Sequence, residues 1–126
     1  MTDPNILAVL DQSAILSFGH APDVGEVMTM VEEDGGVVAL PVACMADAVA
    51  AGADPDVLEL LARHPVTVLV EDGRHGWLAW GSIRTLVPDL AAASAALIAL
   101  MAGREVFTRD PDLYAKLDGG GPIVAF

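Results

Sequence analysis

Residues 90–102, LAAASAALIALMA, limit the fold of this chain more than any other stretch. The run carries no charge, and Ser94 is its one polar residue. A membrane span needs roughly 20 apolar residues, so these 13 are too few. A helix apolar on every side belongs inside a domain, with other layers packed around it. Pro88 and Asp89 open it, and Gly103 closes it. Ile6–Leu10 is a short apolar run without alternation, as in a strand buried on both faces, and Val66–Val70 reads as a second long strand.

The segments between them read as helices and turns. Residues 13–18 begin a helix that GHAPD, residues 19–23, interrupts. Asp23 is expected to cap a helix over Val24–Glu33, with Glu26 as its capping-box partner. Its apolar stripe is Val24, Val27, Met28 and Val31. Val37–Leu40 reads as a short strand, and Pro41 as the first turn of a helix reaching about Ala51. Asp54 and Pro55 open the next helix, which Pro65 ends near His64. EDGRHG, residues 71–76, reads as a turn, and Trp77–Leu86 as a helix with apolar positions 77, 78, 80 and 83. Val106–Thr108 reads as a strand. Asp110–Leu117 is expected to be a short helix from Pro111, GGG a turn, and Ile123–Phe126 a terminal strand. Alternating helices and short unpatterned strands predict an α/β fold: a three-layer α/β/α domain with a mostly parallel sheet. The Ile6–Leu10 strand should be central, with Val106–Thr108 nearby. No linker divides residues 1–126, which read as a single domain.

The apolar fraction of 54% is enough for a core, and with 5% aromatic residues that core is mostly Ala, Val and Leu. The lone Cys44 excludes an internal disulfide and suits a reducing cytoplasm. No leader pattern opens the chain, and no membrane role is expected. Eighteen acids stand against six Lys plus Arg, a net charge of −12. That is a poor footprint for non-specific nucleic-acid binding. Some acids serve solubility; others are placed where a divalent cation would be held.

Asp11 ends the first strand, in NILAVLDQSAIL, and Asp110 follows another, in VFTRDPDLY. In open α/β sheets, ligands bind at the carboxyl ends of parallel strands. Asp47 is the only charge in PVACMADAVAA, and Asp89 stands at the mouth of the buried helix. Four such carboxylates suit Mg²⁺ or Mn²⁺, hard ions that take oxygen ligands. Each acid also has a plainer reading. Asp11 and Asp110 could cap the helices after them, Asp89 could be a helix-start acid favoured by the macrodipole, and Asp47 could face solvent. His20, His64 and His75 read as surface residues. Trp77 and Trp80 read as core or interface, with base stacking the minority use.

LAVLDQSAIL, LPVACMADA, PDLAAASAALIALMAG and VFTRDPDLY, in this order, resemble the PIN-domain family of small metal-dependent ribonucleases, which includes many bacterial toxins. The blocks span residues 6–114. The resemblance makes Asp11, Asp47, Asp89 and Asp110 the catalytic and metal-binding set, with Asp47 one methylene shorter than the usual Glu. It implies an endoribonuclease using Mg²⁺ or Mn²⁺, often the toxin of a toxin–antitoxin pair, with RNA as substrate. It also implies frequent homodimers and an antitoxin whose Arg-bearing segment fills the acidic cleft. Metal-activated water would hydrolyse the phosphodiester, so no Ser/His/Asp or Cys/His pair is needed. Thr108 or Ser13 could orient a water, and Arg109 could meet a phosphate or neutralise an acid. The alternative is a non-catalytic PIN-like module that binds a protein partner, favoured by Asp at 47 and by the shortage of cations. A haloacid-dehalogenase-type phosphatase would need a second Asp where Ser13 stands. A receiver domain would want paired acids where Gln12 follows Asp11.

Overall fold

The computed structural model describes residues 4–71 and 73–126. Five parallel strands form one sheet in the order β3-β2-β1-β4-β5. They are β1 (Ile6–Leu10), β2 (Val37–Pro41), β3 (Thr67–Val70), β4 (Val106–Thr108) and β5 (Ile123–Ala125). Six helices connect them: α1 (Gln12–Ser17), α2 (Asp23–Glu33), α3 (Val42–Ala50), α4 (Pro55–Arg63), α5 (Gly73–Arg84) and α6 (Leu90–Ala102). The α/β/α expectation holds, with β1 in the middle of the sheet and β4 beside it.

The strand order fixes where a site can form. From β1 the chain steps outward to β2 and β3, then returns across the sheet to β4. Right-handed crossovers place the helices of these two excursions on opposite faces. The order therefore reverses between β1 and β4, and a crevice opens beyond their carboxyl ends. Val9 pairs with Val106 and Leu10 with Phe107, so Asp11 emerges beside Thr108. Because α6 precedes β4, its amino end lies at that same edge.

Residues 91–99 of α6 are all buried, as an uncharged stretch on every face requires. Small Ala side chains let it lie against the sheet and α3 at once. Val9, Leu10, Ala14, Val38, Leu40, Ala48, Leu61 and Val106 complete a buried apolar centre. Asp54 caps α4 by accepting the Asp56 N–H, with Pro55 in the first turn. Gly103 ends α6 at φ 66°, a left-handed turn that suits glycine. Among the described residues no helix is long and apolar enough to cross a membrane.

Several local expectations are corrected. Asp23 does not cap α2: Pro22 already has helical angles, and the Asp23 carboxylate pairs with Arg109 instead. Pro41 ends β2 rather than starting α3. The turn expected over residues 71–76 is helical from Gly73 onward; Asp72 lies outside the described residues. His75 is thus on α5 rather than in a loop. Trp77 is 67% exposed rather than core, whereas Trp80 is half-buried and donates its indole N–H to the Leu90 carbonyl at 2.8 Å. After Asp110 the chain forms a 3-10 turn, Pro111–Tyr114, and a second one over Asp118–Gly120.

Candidate active site at the carboxyl edge

A cleft of about 290 Å³ opens beyond β1 and β4, lined by Asp11, Gln12, Ser13, Leu16, Asp89, Ala92, Asp110 and Leu113. Three of the four expected acids are therefore brought together from three separate segments. No Lys, Arg or His lines this cleft. Three larger hollows, of about 680, 360 and 340 Å³, each hold a single acid, Glu71, Glu59 and Asp54. Asp47 does not line the cleft. It sits half-buried on α3, one helical turn beyond the buried Cys44.

Asp11 is only 2% exposed, and its carboxylate is well partnered. Oδ1 accepts from the Ser13 hydroxyl at 2.6 Å and the Ala14 N–H at 3.1 Å. Oδ2 accepts from the Tyr114 hydroxyl at 2.7 Å. The plainer reading of Asp11 as a helix cap is thus also realised. Asp89 caps α6 by accepting the Ala92 N–H at 2.8 Å. Asp110 is different: it is exposed, and its carboxylate makes no capping bond to the turn that follows. Its backbone N–H donates to the Thr108 hydroxyl at 2.9 Å.

Ser13 and Thr108 tie the two strand ends together, their hydroxyls 3.2 Å apart. The Arg109 N–H donates to Ser13 Oγ at 2.8 Å. Both hydroxyls are engaged within the protein, and Thr108 is fully buried. The Arg109 guanidinium turns to Asp23 and lies over the Phe126 ring, 5.0 Å from its centroid. It neutralises an acid, one of the two uses its position suggests. Among the described residues no three His, Cys, Asp or Glu side chains are gathered tightly enough to hold a cation as they stand.

Two buried groups beneath the cleft carry no role in the sequence reading. Tyr114, the chain's only tyrosine, is fully buried against Asp11. Burial, then the Asp11 charge and the hydrogen bond to it, push its phenol far above the ordinary range. Cys44 donates its thiol to the Ala91 carbonyl at 3.2 Å. Burial chiefly, then the charge of Asp11, hold that thiol well above its ordinary value; Asp89 and Asp47 add smaller upward effects, and the Gln12 backbone opposes them. Cys44 thus feels Asp11, Asp89 and Asp47 together. A sequence signal for Tyr114 existed: a lone Tyr four residues after a site acid, in a chain poor in aromatics.

These raised values set an alkaline limit on stability. Above about pH 8.5 the unfolded chain releases a thiol proton that the folded chain keeps. The unfolded state then binds fewer protons, so stability falls as pH rises, by about 1.4 kcal/mol per pH unit. Above about pH 10, Tyr114 adds a similar slope. Urea unfolding from pH 8 to 11 should show both breaks, and Cys44→Ala should remove the first. A flat profile would contradict this account.

Compared with models of known protein families and with curated proteins, the chain matches none.

Proposed function

We propose that the protein is a metal-dependent endoribonuclease of the PIN-domain type, with Mg²⁺ or Mn²⁺ held by Asp11, Asp89 and Asp110. The observation that carries this reading is a cleft lined by three carboxylates and no cationic side chain. Like charges so placed repel each other, and a divalent cation offsets the repulsion. The donor set is all oxygen, which suits these hard ions, and Mg²⁺ keeps several waters, so carboxylates need not all bind directly. Asp47 is proposed to act through water, since it stands on α3 outside the lining. When bound, the cation supplies Lewis acidity, which lowers the pKa of a water and stabilises phosphoryl charge.

The chain's own residues position these acids. Ser13 and Tyr114 hold the Asp11 carboxylate from both sides, and Thr108 holds the Asp110 backbone. In this reading the protein is the toxin of a toxin–antitoxin pair, the antitoxin's Arg-bearing segment complementing the acidic cleft. Trp77 and Leu78, 67% and 70% exposed on α5, support a homodimer interface. The free Cys44 thiol fits a reducing, cytoplasmic setting.

A second reading, a non-catalytic module that binds a protein partner, is favoured by the engagement of Asp11 and Asp89 in caps and hydrogen bonds. Calorimetry with Mn²⁺, together with cleavage of mixed RNA substrates, separates the two. The nuclease reading expects Mn²⁺ binding and cleavage that is lost in Asp11→Asn with the fold retained by circular dichroism. Cleavage surviving that substitution is contamination. No binding and no cleavage leaves the partner-binding module as the better account.

A further inference from the structure

The shortage of cations is the main physical objection to an RNA substrate, and the fold partly answers it. Of six Lys and Arg residues, Arg63 is paired with Glu59 and Arg109 with Asp23. Arg84, at the end of α5, and Lys116, after the 3-10 turn, are 32 residues apart in sequence. They nevertheless line one hollow of about 260 Å³, together with Thr85, Leu86, Pro88, Asp112, Leu113 and Ala115. Leu113 also lines the acidic cleft, and Pro88 directly precedes Asp89, so the hollow adjoins the cleft. Both cations are exposed, and among the described residues neither is in an ion pair.

We propose that Arg84 and Lys116 form a phosphate-binding subsite that holds the backbone of single-stranded RNA beside the acidic cleft. The inference deepens the nuclease reading and rests on it for the identity of the strand. The two side chains have complementary chemistry. Arg offers a planar fork for two phosphate oxygens, and Lys a compact point charge. Asp112 in the same hollow subtracts one charge, leaving the lining net positive. The protein's overall −12 repels a polyanion at long range, but salt screens charges beyond about 8 Å. What decides binding is then the charge next to the strand. A divalent cation in the cleft would offset two of its three negative charges and weaken the remaining local repulsion.

The test is anisotropy of a fluorescently labelled single-stranded RNA, titrated with the protein in EDTA to prevent metal-dependent turnover. Arg84→Ala/Lys116→Ala should bind about tenfold more weakly at low salt, and its log affinity against log salt should be shallower by roughly 1.4, the loss of two contacts to a single strand. Arg104→Ala, a cation on the far end of α6, should change binding less than the double variant does. Mn²⁺ affinity by calorimetry should match the wild type. RNA binding by the double variant equal to wild type, or no RNA binding by the wild type, overturns the subsite. Absence of Mn²⁺ binding by the wild type would instead remove the metal reading and leave the RNA result intact.

Discussion

Replacing Asp11 by alanine should lower the stability of the folded chain by about 2–4 kcal/mol. Alanine removes the cap of α1, a loss of about 1 kcal/mol. It also leaves the Tyr114 hydroxyl without its acceptor in a fully buried position, which costs about 1–3 kcal/mol. Ser13 keeps a neighbour in Thr108 and suffers less. Relief of repulsion from Asp89 and Asp110 works the other way but acts through a solvent-open cleft. Asn at the same position has the shape and an acceptor oxygen for Ser13 and Ala14, and its amide can donate to the Tyr114 oxygen, so only the phenol proton loses its acceptor. Asp11→Asn keeps the cap and should therefore lose less than Asp11→Ala, about 1–2 kcal/mol. Urea unfolding of both variants checks this. If Ala and Asn are equally stable, the hydrogen bonds around Asp11 do not hold the strand ends together. The contrast also decides which variant serves as the activity control: Asn isolates the charge, whereas Ala disturbs the fold.

The opening stretch of the sequence was readable because its signals are local. Five apolar residues without alternation suit a strand covered on both faces, and thirteen uncharged residues, too few to cross a membrane, suit an interior helix. Both therefore fell where expected, and so did Asp54 with Pro55. Errors arose where a distant residue decided the outcome. Asp23 looks like a cap in sequence, yet Arg109, 86 positions away, takes its carboxylate. Trp77 reads as core or interface because it is large and apolar, and only the core half fails, since α5 presents no fully buried residue. Gly73 and Gly76 suggested a turn, and the helix runs through both.

For the site, strand ends were legible and side-chain commitments were not. Asp11, Asp89 and Asp110 stand at element boundaries that sequence patterns mark, and all three line the cleft. Asp47 stood out as a lone charge in an apolar helix, but which face it takes depends on how α3 packs against α1 and α6. Cys44 was silent because a buried cysteine has no sequence signature until its neighbours are known, and Tyr114 offered only its place four residues after Asp110. The meeting of Arg84 with Lys116 is of the same kind: the return crossover of α5 and α6 and the turn after β4 bring them to one hollow.

Asp110→Asn should abolish Mn²⁺-dependent function while leaving the metal-free fold unharmed. The two halves of that expectation come from the same observation. Unlike Asp11 and Asp89, Asp110 caps nothing with its side chain, and it is exposed. A surface substitution with no such role changes stability by about 0.5 kcal/mol or less. Removing one of three like charges in the cleft should, if anything, stabilise the metal-free protein slightly. A carboxylate that caps nothing and stands beside two like charges is free to serve the metal site proposed above. Loss of such a ligand should cut cleavage by about a hundredfold or more. A cation that binds the folded state alone raises the melting temperature. Wild type should therefore gain stability when Mn²⁺ is added, and Asp110→Asn should lose most of that gain while melting as the wild type does in EDTA. A variant that keeps the full Mn²⁺-dependent rise would remove Asp110 from the metal site. A variant that melts well below wild type in EDTA would show that the carboxylate serves the fold after all, and the functional argument from its free oxygens would fail.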